Sequence, residues 1–224
     1  MVRQIENLTT QGSDRPIKDA VIFDCGELSG DAAVFAETKK ADALGDEYED
    51  FPEDEANNDE PLSAARVLKI ATDCKDFGNK AFKDKSFEIA LDKYQKGLRY
   101  INEEPDLESE PADTKAKLNA LRVTLNSNAA LMNIKLTAWD DCVRAATSAL
   151  AVAGISDKDK AKALYRRGFA YVRMKDEDSA IADLQAAQKL APEDVAITNE
   201  LTAVKKAAGA RVAKEKAAYK KFFA

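Results

Sequence analysis

The stretch Ala161–Met174, AKALYRRGFAYVRM, decides the fold. Its apolar residues recur at helical spacing, which predicts a helix. Residues four apart on a helix share a face. Lys162 and Arg166 therefore stand together on one exposed strip, while Ala163, Leu164, Ala170 and Tyr171 are free to pack. A pair of cations one turn apart, in a chain with no histidine, suits holding an anion better than catalysis.

Outward from this stretch the chain repeats. Small residues twelve apart recur three times, as Gly78 and Ala90, Ala130 and Cys142, and Gly168 and Ala180. Tyr94, Ala146 and Leu184 follow each pair four residues later, and Pro192 closes the third copy. This pattern resembles the tetratricopeptide repeat, a helix–turn–helix unit in which small residues let two helices approach closely. The second copy is the weakest, with Asn133 in place of an aromatic and Ala146 where a larger group is usual. The copies are offset by 52 and 38 residues, more than the usual spacing of about 34. The acidic stretch Glu103–Asp113 accounts for the larger offset.

Seven helices are expected, at Ala64–Lys83, Phe87–Tyr100, Pro111–Leu136, Ala138–Ala153, Lys158–Met174, Glu177–Leu190 and Glu193–Phe223. Ser63 and Asp157 are expected N-caps, and Pro111 suits a first turn. The predicted fold is all-α: three tetratricopeptide helix–turn–helix repeats and a long C-terminal capping helix, with a largely disordered N-terminal segment. The cap is needed because each repeat buries its face on a neighbour. Ala196, Ile197, Leu201 and Val204 are placed to supply it. Beyond Gly209 the helix turns basic, with Arg211, Lys214, Lys216, Lys220 and Lys221 beside Tyr219, Phe222 and Phe223. That tail reads as a solvated extension of the cap or as a calmodulin-type target.

The net charge of −6 conceals a division. Residues 1–60 hold 17 acids against 5 bases, which leaves the remainder at +6. A basic body prefers acidic partners. The aromatic–basic interleaving of a nucleic-acid platform is missing, so an acidic peptide fits better than nucleic acid. No run approaches the roughly 18 apolar residues of a membrane span, and the start MVRQIENLTT lacks a signal peptide's apolar centre. Cys25, Cys74 and Cys142 are odd in number and lack metal-ligand spacing. Reduced thiols in a cytoplasmic protein are the expectation, with no cofactor and no metal.

The N-terminal sixty residues divide in two. Val2–Leu28 contains DRP and ends in DCGEL, and it resembles the extreme C-terminal end of a cyclophilin domain. Val2–Leu8 reads as a short helix and Ala20–Phe23 as a strand. A lone strand without a sheet is not stable, so disorder is expected. Residues 29–62 read as an acidic linker, with nine acids and no base from Asp46 to Glu60. Such a run repels itself and reads as a solvated spacer or as a weak internal competitor for the basic body. The domain plan is then 1–28, 29–62, a repeat domain over 63–192, and a cap with a basic tail over 193–224.

Lys75 and Asn79 (in KDFGN), Asn128 (in SN), and Lys162 and Arg166 (in KALYR) occupy the first helices of the three copies. This set resembles the carboxylate clamp of tetratricopeptide co-chaperones. The resemblance implies binding of the C-terminal EEVD-type peptide of the ninety-kilodalton heat-shock chaperone, and possible binding of the seventy-kilodalton one. Phe82 is expected to form an apolar wall, and Lys83 and Lys135 to add attraction. A chain ending in Asp presents two adjacent carboxylates. Lysine offers a charge with three donors, arginine a planar fork, and asparagine a neutral donor. A few charge-assisted bonds, less the cost of ordering a peptide, suit micromolar affinity, about −8 kcal/mol.

The cyclophilin-like ending, the acidic linker and the clamp together resemble the large tetratricopeptide-containing cyclophilins, down to the ending AYKKFFA. Those proteins are prolyl isomerases and co-chaperones. Their isomerase pocket uses a histidine, and this chain has none. The tryptophan, Trp139, lies in the second repeat. The expectation is an adaptor without isomerase activity of its own. Two alternatives stand beside it: part of an isomerase whose catalytic domain is not in this sequence, or a scaffold that uses its convex face or tail.

Overall fold

The structure, a computed structural model, describes residues 8–12, 15–21, 25, 26, 41–55, 61–107 and 110–222. The chain forms two units, residues 1–39 and 40–224. In the first, the described residues include a small loop closed by an antiparallel bridge between Thr10 and Pro16. Gln11 N–H donates to the Arg15 carbonyl at 2.7 Å, and Ile17 N–H to the Thr9 carbonyl at 2.8 Å. The helix expected at Val2–Leu8, the strand over Ala20–Phe23 and the expected disorder fall mostly outside the described residues.

The second unit is helical. Its described helices are α1 (Pro52–Glu55), α2 (Ala64–Lys83), α3 (Phe87–Ile101), α4 (Thr114–Lys135), α5 (Trp139–Leu150), α6 (Asp157–Met174), α7 (Glu177–Leu190) and α8 (Val195–Phe222). The pairs α2/α3, α4/α5 and α6/α7 are the repeats, and each packs on the next. The first helices α2, α4 and α6 also touch in succession, which makes them one layer.

The repeat register shows at the turns. Each hairpin closes through one residue in the left-handed region: Lys85 at φ 60°, Thr137 at φ 59° and Lys175 at φ 65°. These residues lie seven positions after Gly78, Ala130 and Gly168 respectively. The next amide then reaches back five residues: Ser86 to Ala81 O at 2.9 Å, Ala138 to Asn133 O at 2.9 Å and Asp176 to Tyr171 O at 3.0 Å. This is the Schellman way of satisfying a helix's last carbonyls. The helix pairs approach closely at the small residues. A Cβ added at Gly78 would lie 2.4 Å from the Tyr94 ring.

Two local expectations need correction. The N-cap of α6 is Ser156, whose side chain accepts from Asp159 N–H at 3.1 Å, and Asp157 is already helical. Pro111 precedes α4, whose N-cap is Asp113. Ser63 caps α2 as expected, accepting from Arg66 N–H at 3.3 Å.

Both ends of the stack are covered. At the C-terminal end α8 lays Ile197, Leu201 and Val204 on the third repeat, all three buried. At the N-terminal end residues 41–55 form a strap over the first repeat. The strap runs antiparallel to α2. Leu44 O accepts from Lys80 Nζ at 3.5 Å. Tyr48 Oη donates to Asp73 at 2.5 Å, and Glu55 pairs with Arg66. On the α3 side, Asp46 Oδ2 takes Lys93 Nζ at 2.5 Å and Lys96 Nζ at 2.9 Å. Tyr100 Oη donates to Glu49 O at 2.7 Å. Asp46 and Lys96 are each 1 % exposed.

The spacer expectation therefore does not hold for residues 41–55. The acids that would repel one another in water meet three cations instead: Glu55 pairs with Arg66 at the surface, and Asp46 meets Lys93 and Lys96 in a buried contact. Burial alone pushes the Asp46 carboxyl up, but hydrogen bonds from Lys93 and Lys96 outweigh it and hold its pKa below the ordinary value. The strap lies along one side of α2. It touches α2 at Arg66, Lys69, Asp73 and Lys80. Helical spacing turns these away from Lys75 and Asn79 by about a third of a turn on average.

Candidate functional site

A cleft of about 520 Å³ opens between α4, α6 and the junction of α7 with α8. Its apolar walls include Leu131, Ile134, Tyr165, Phe169, Leu190 and Ile197. Its charged lining is Lys135 from α4, Lys158, Lys162 and Arg166 from α6, and Asp194 just before α8. Three expected site residues, Lys135, Lys162 and Arg166, thus meet in one place.

Arg166 is the half-buried anchor of this cleft. Its Nη1 donates to the Ser127 carbonyl at 2.5 Å and also to the Ser127 hydroxyl. Burial pushes the guanidinium pKa down from its ordinary value, yet arginine retains its charge. Lys162 is exposed and lies 3.3 Å from Asp159. The Ser156 hydroxyl, ahead of an opposing burial effect, holds the Asp159 carboxyl below its ordinary pKa, and Lys162 adds to this.

The first repeat connects to Arg166 through Tyr94. Tyr94 Oη donates to Asn79 Oδ1 at 2.9 Å. That bond orients the Asn79 amide, so its nitrogen remains to donate elsewhere. Burial raises the Tyr94 pKa, and the nearby Arg166 charge opposes the rise. Asn128 is half-buried and follows Ser127, the residue that holds Arg166. Lys75 is half-buried, 3.3 Å from its neighbour Asp76. Lys83 is exposed on the last turn of α2. The Phe82 ring lies 6.1 Å from Phe87 at the hairpin turn and packs on the first-repeat core. Lys75, Asn79, Asn128, Phe82 and Lys83 do not line the cleft.

Lys158, Tyr165, Phe169, Asp194 and Ser127 join the site without having been expected there. A signal existed for three of them. Lys158, Lys162 and Arg166 step by four, as do Tyr165 and Phe169, so α6 presents a cationic strip beside an aromatic one. Nothing local marked Ser127 or Asp194.

Elsewhere, Arg167 pairs with Asp183 through Nε at 2.7 Å and Nη2 at 2.8 Å, tying α6 to α7 inside the third repeat. On the tail, Arg211 is engaged by Glu177 at 2.9 Å and Glu215 at 3.5 Å. Among the described residues no acidic, cysteine or histidine cluster could hold a metal, and no helix is long and apolar enough to cross a membrane.

Residues 161–194 match the tetratricopeptide repeat model. The chain is 40% identical over 225 residues to the peptidyl-prolyl cis-trans isomerase D of Kluyveromyces lactis, covering 100% of this chain and 60% of that protein. Among solved structures, the C-terminal TPR-containing domain of a Plasmodium falciparum FK506-binding protein superposes with a TM-score of 0.59. It shows 23% identity over 67% of this chain and 96% of that one. The first TPR of Spaghetti (RPAP3), solved bound to the HSP90 peptide SRMEEVD, superposes with a TM-score of 0.50. It is 25% identical over 63% of this chain and 95% of that one. The repeated helix pairs and their common turn give the chain a tetratricopeptide-type fold, and along its whole length it is similar to peptidyl-prolyl cis-trans isomerase D, of which it spans about 60%.

Proposed function

We propose that the repeat body is a co-chaperone adaptor. It grips the acidic C-terminal EEVD-type peptide of a cytosolic heat-shock chaperone, which places the protein in the cytoplasm. The observation that carries this reading is the gathering of Lys135, Lys158, Lys162 and Arg166 along one apolar-walled cleft. The solved relative bound to SRMEEVD supports the ligand class. In this reading Lys162 and Arg166, with Lys75, Asn79 and Asn128, hold the terminal carboxylate and the last Asp side chain. Lys83 and Lys135 supply longer-range attraction.

Calorimetric titration with SRMEEVD as free acid and as C-terminal amide tests it. Each charge-assisted hydrogen bond contributes about 1.5–3 kcal/mol, so the amide is expected to bind at least about tenfold more weakly. Equal affinities would end the reading.

The homology favours a second, compatible role, in which this body recruits a prolyl isomerase to the chaperone. The chain itself is expected to leave proline isomerisation in a test peptide at its uncatalysed rate.

A further inference from the structure

The cleft has an acidic end. Lys135, Lys158, Lys162 and Arg166 make most of its rim positive, and Asp194 is the acid among its lining residues. Asp194 is exposed and fixed in place. Its Oδ1 caps α8, accepting from Ala196 N–H at 2.9 Å and Ile197 N–H at 3.4 Å. Its Oδ2 is uncommitted among the described residues. The carboxylate lies near enough to Tyr165 to help raise the pKa of that hydroxyl, after burial and Glu200. A helix cap thus holds a negative charge over the aromatic wall, at the end of the cleft formed by α8.

We propose that Asp194 is a specificity residue. It pairs with a basic side chain upstream of the acidic end of the bound peptide. This rests on the clamp reading, which sets the ligand's direction: the terminal carboxylates lie at Lys162 and Arg166, and the chain leads back across the apolar wall toward α8. In SRMEEVD the arginine stands five residues before the terminal Asp. Five extended residues reach about 17 Å. The methionine between them meets the wall of Leu131, Ile134 and Phe169, and the arginine arrives at Asp194. A rim ion pair of this kind selects among acidic-ended peptides and adds little to total affinity.

A double-mutant cycle tests this. The peptides are SRMEEVD and SAMEEVD; the proteins are the full chain and its Asp194→Asn variant, in which asparagine still caps the helix. In the unaltered chain, replacing the peptide arginine is expected to weaken binding by about two- to fivefold. In Asp194→Asn the same replacement should leave affinity unchanged. Asp194→Lys should reverse the preference, and added salt should shrink the difference. If the arginine matters equally with and without Asp194, the pairing is overturned and the clamp stands. If the unaltered chain binds neither peptide, the clamp falls and the pairing with it.

Discussion

Arg166 reaches across from α6 to the backbone of Ser127 on α4, its Nη1 2.5 Å from the carbonyl oxygen. A residue that sequence spacing marks as a ligand group is therefore also a tie between two repeats. Its remaining donors are pre-aimed, because one arm of the fork is already fixed.

Arg166→Ala should thus fail in two ways. Peptide affinity is expected to fall more than tenfold, about 1.4 kcal/mol or more. The loss of the Ser127 bonds should cost about 1–3 kcal/mol of folding stability. Arg166→Lys keeps the charge and loses the fork, so it should lie between the two in calorimetry. A variant that melts like the unaltered chain would show that the Ser127 tie contributes nothing.

The strap should prove structural. Asp46→Asn leaves Lys93 and Lys96 without their shared carboxylate in a buried contact. Breaking a buried pair in this way costs about 3–5 kcal/mol. Replacing Asp46, Lys93 and Lys96 together by Leu, Met and Met should recover most of that in urea denaturation. A midpoint unmoved by Asp46→Asn would mean that the strap contributes little.

The same carboxylates set an acid limit. Burial opposes ionisation of Asp42, but Lys93 and the backbone amides of Asp46 and Leu44 outweigh it and bring its pKa down to about 2 from 3.8. Asp46 is lowered too. A carboxyl whose folded pKa lies below its unfolded one stabilises fully above the unfolded value and loses that contribution as pH falls through the folded one. Unfolding free energy should therefore be level from neutrality to about pH 5 and decline below about pH 4. The decline should be shallower in Asp46→Asn, measured by urea titration at each pH.

Gly78→Ala forces a Cβ to within 2.4 Å of the Tyr94 ring, which is 2 % exposed and has little room to yield. Overpacking of this kind costs about 1–3 kcal/mol. Displacing Tyr94 also disturbs its bond to Asn79, so peptide affinity should fall along with the melting temperature. Chemical-shift changes at Asn79 would report the second effect directly.

Thiol chemistry should follow burial. Burial pushes Cys74 and Cys142 up to about 12, while Cys25 is exposed. A maleimide at neutral pH should label Cys25 in the folded chain and all three thiols in denaturant, read by mass spectrometry.

The helices were legible because their signals are local. Ala64–Lys83 and Glu177–Leu190 run where the pattern of small and apolar residues places them, and the twelve-residue spacing of Gly78 and Ala90 marks a real close approach. Arg166 and Lys162 were legible for the same reason. The strap was not. Asp46 meets lysines 47 and 50 positions away, and in sequence Lys93 and Lys96 look like any solvated helix face. Asp194 escaped notice because the last helix was expected to begin at Glu193, which put Asp194 inside its first turn instead of at the cap, where it accepts from Ala196 and Ile197 N–H.

The strap has a consequence for how the protein is dissected. A gene cut at Ser63, where the repeats begin on paper, would yield a protein whose first hairpin has lost the counter-charges to two ammonium groups and the cover over Tyr100. Such a product invites aggregation, and its failure to bind anything would be blamed on the groove. A cut at Lys40 keeps the strap with the repeats it covers.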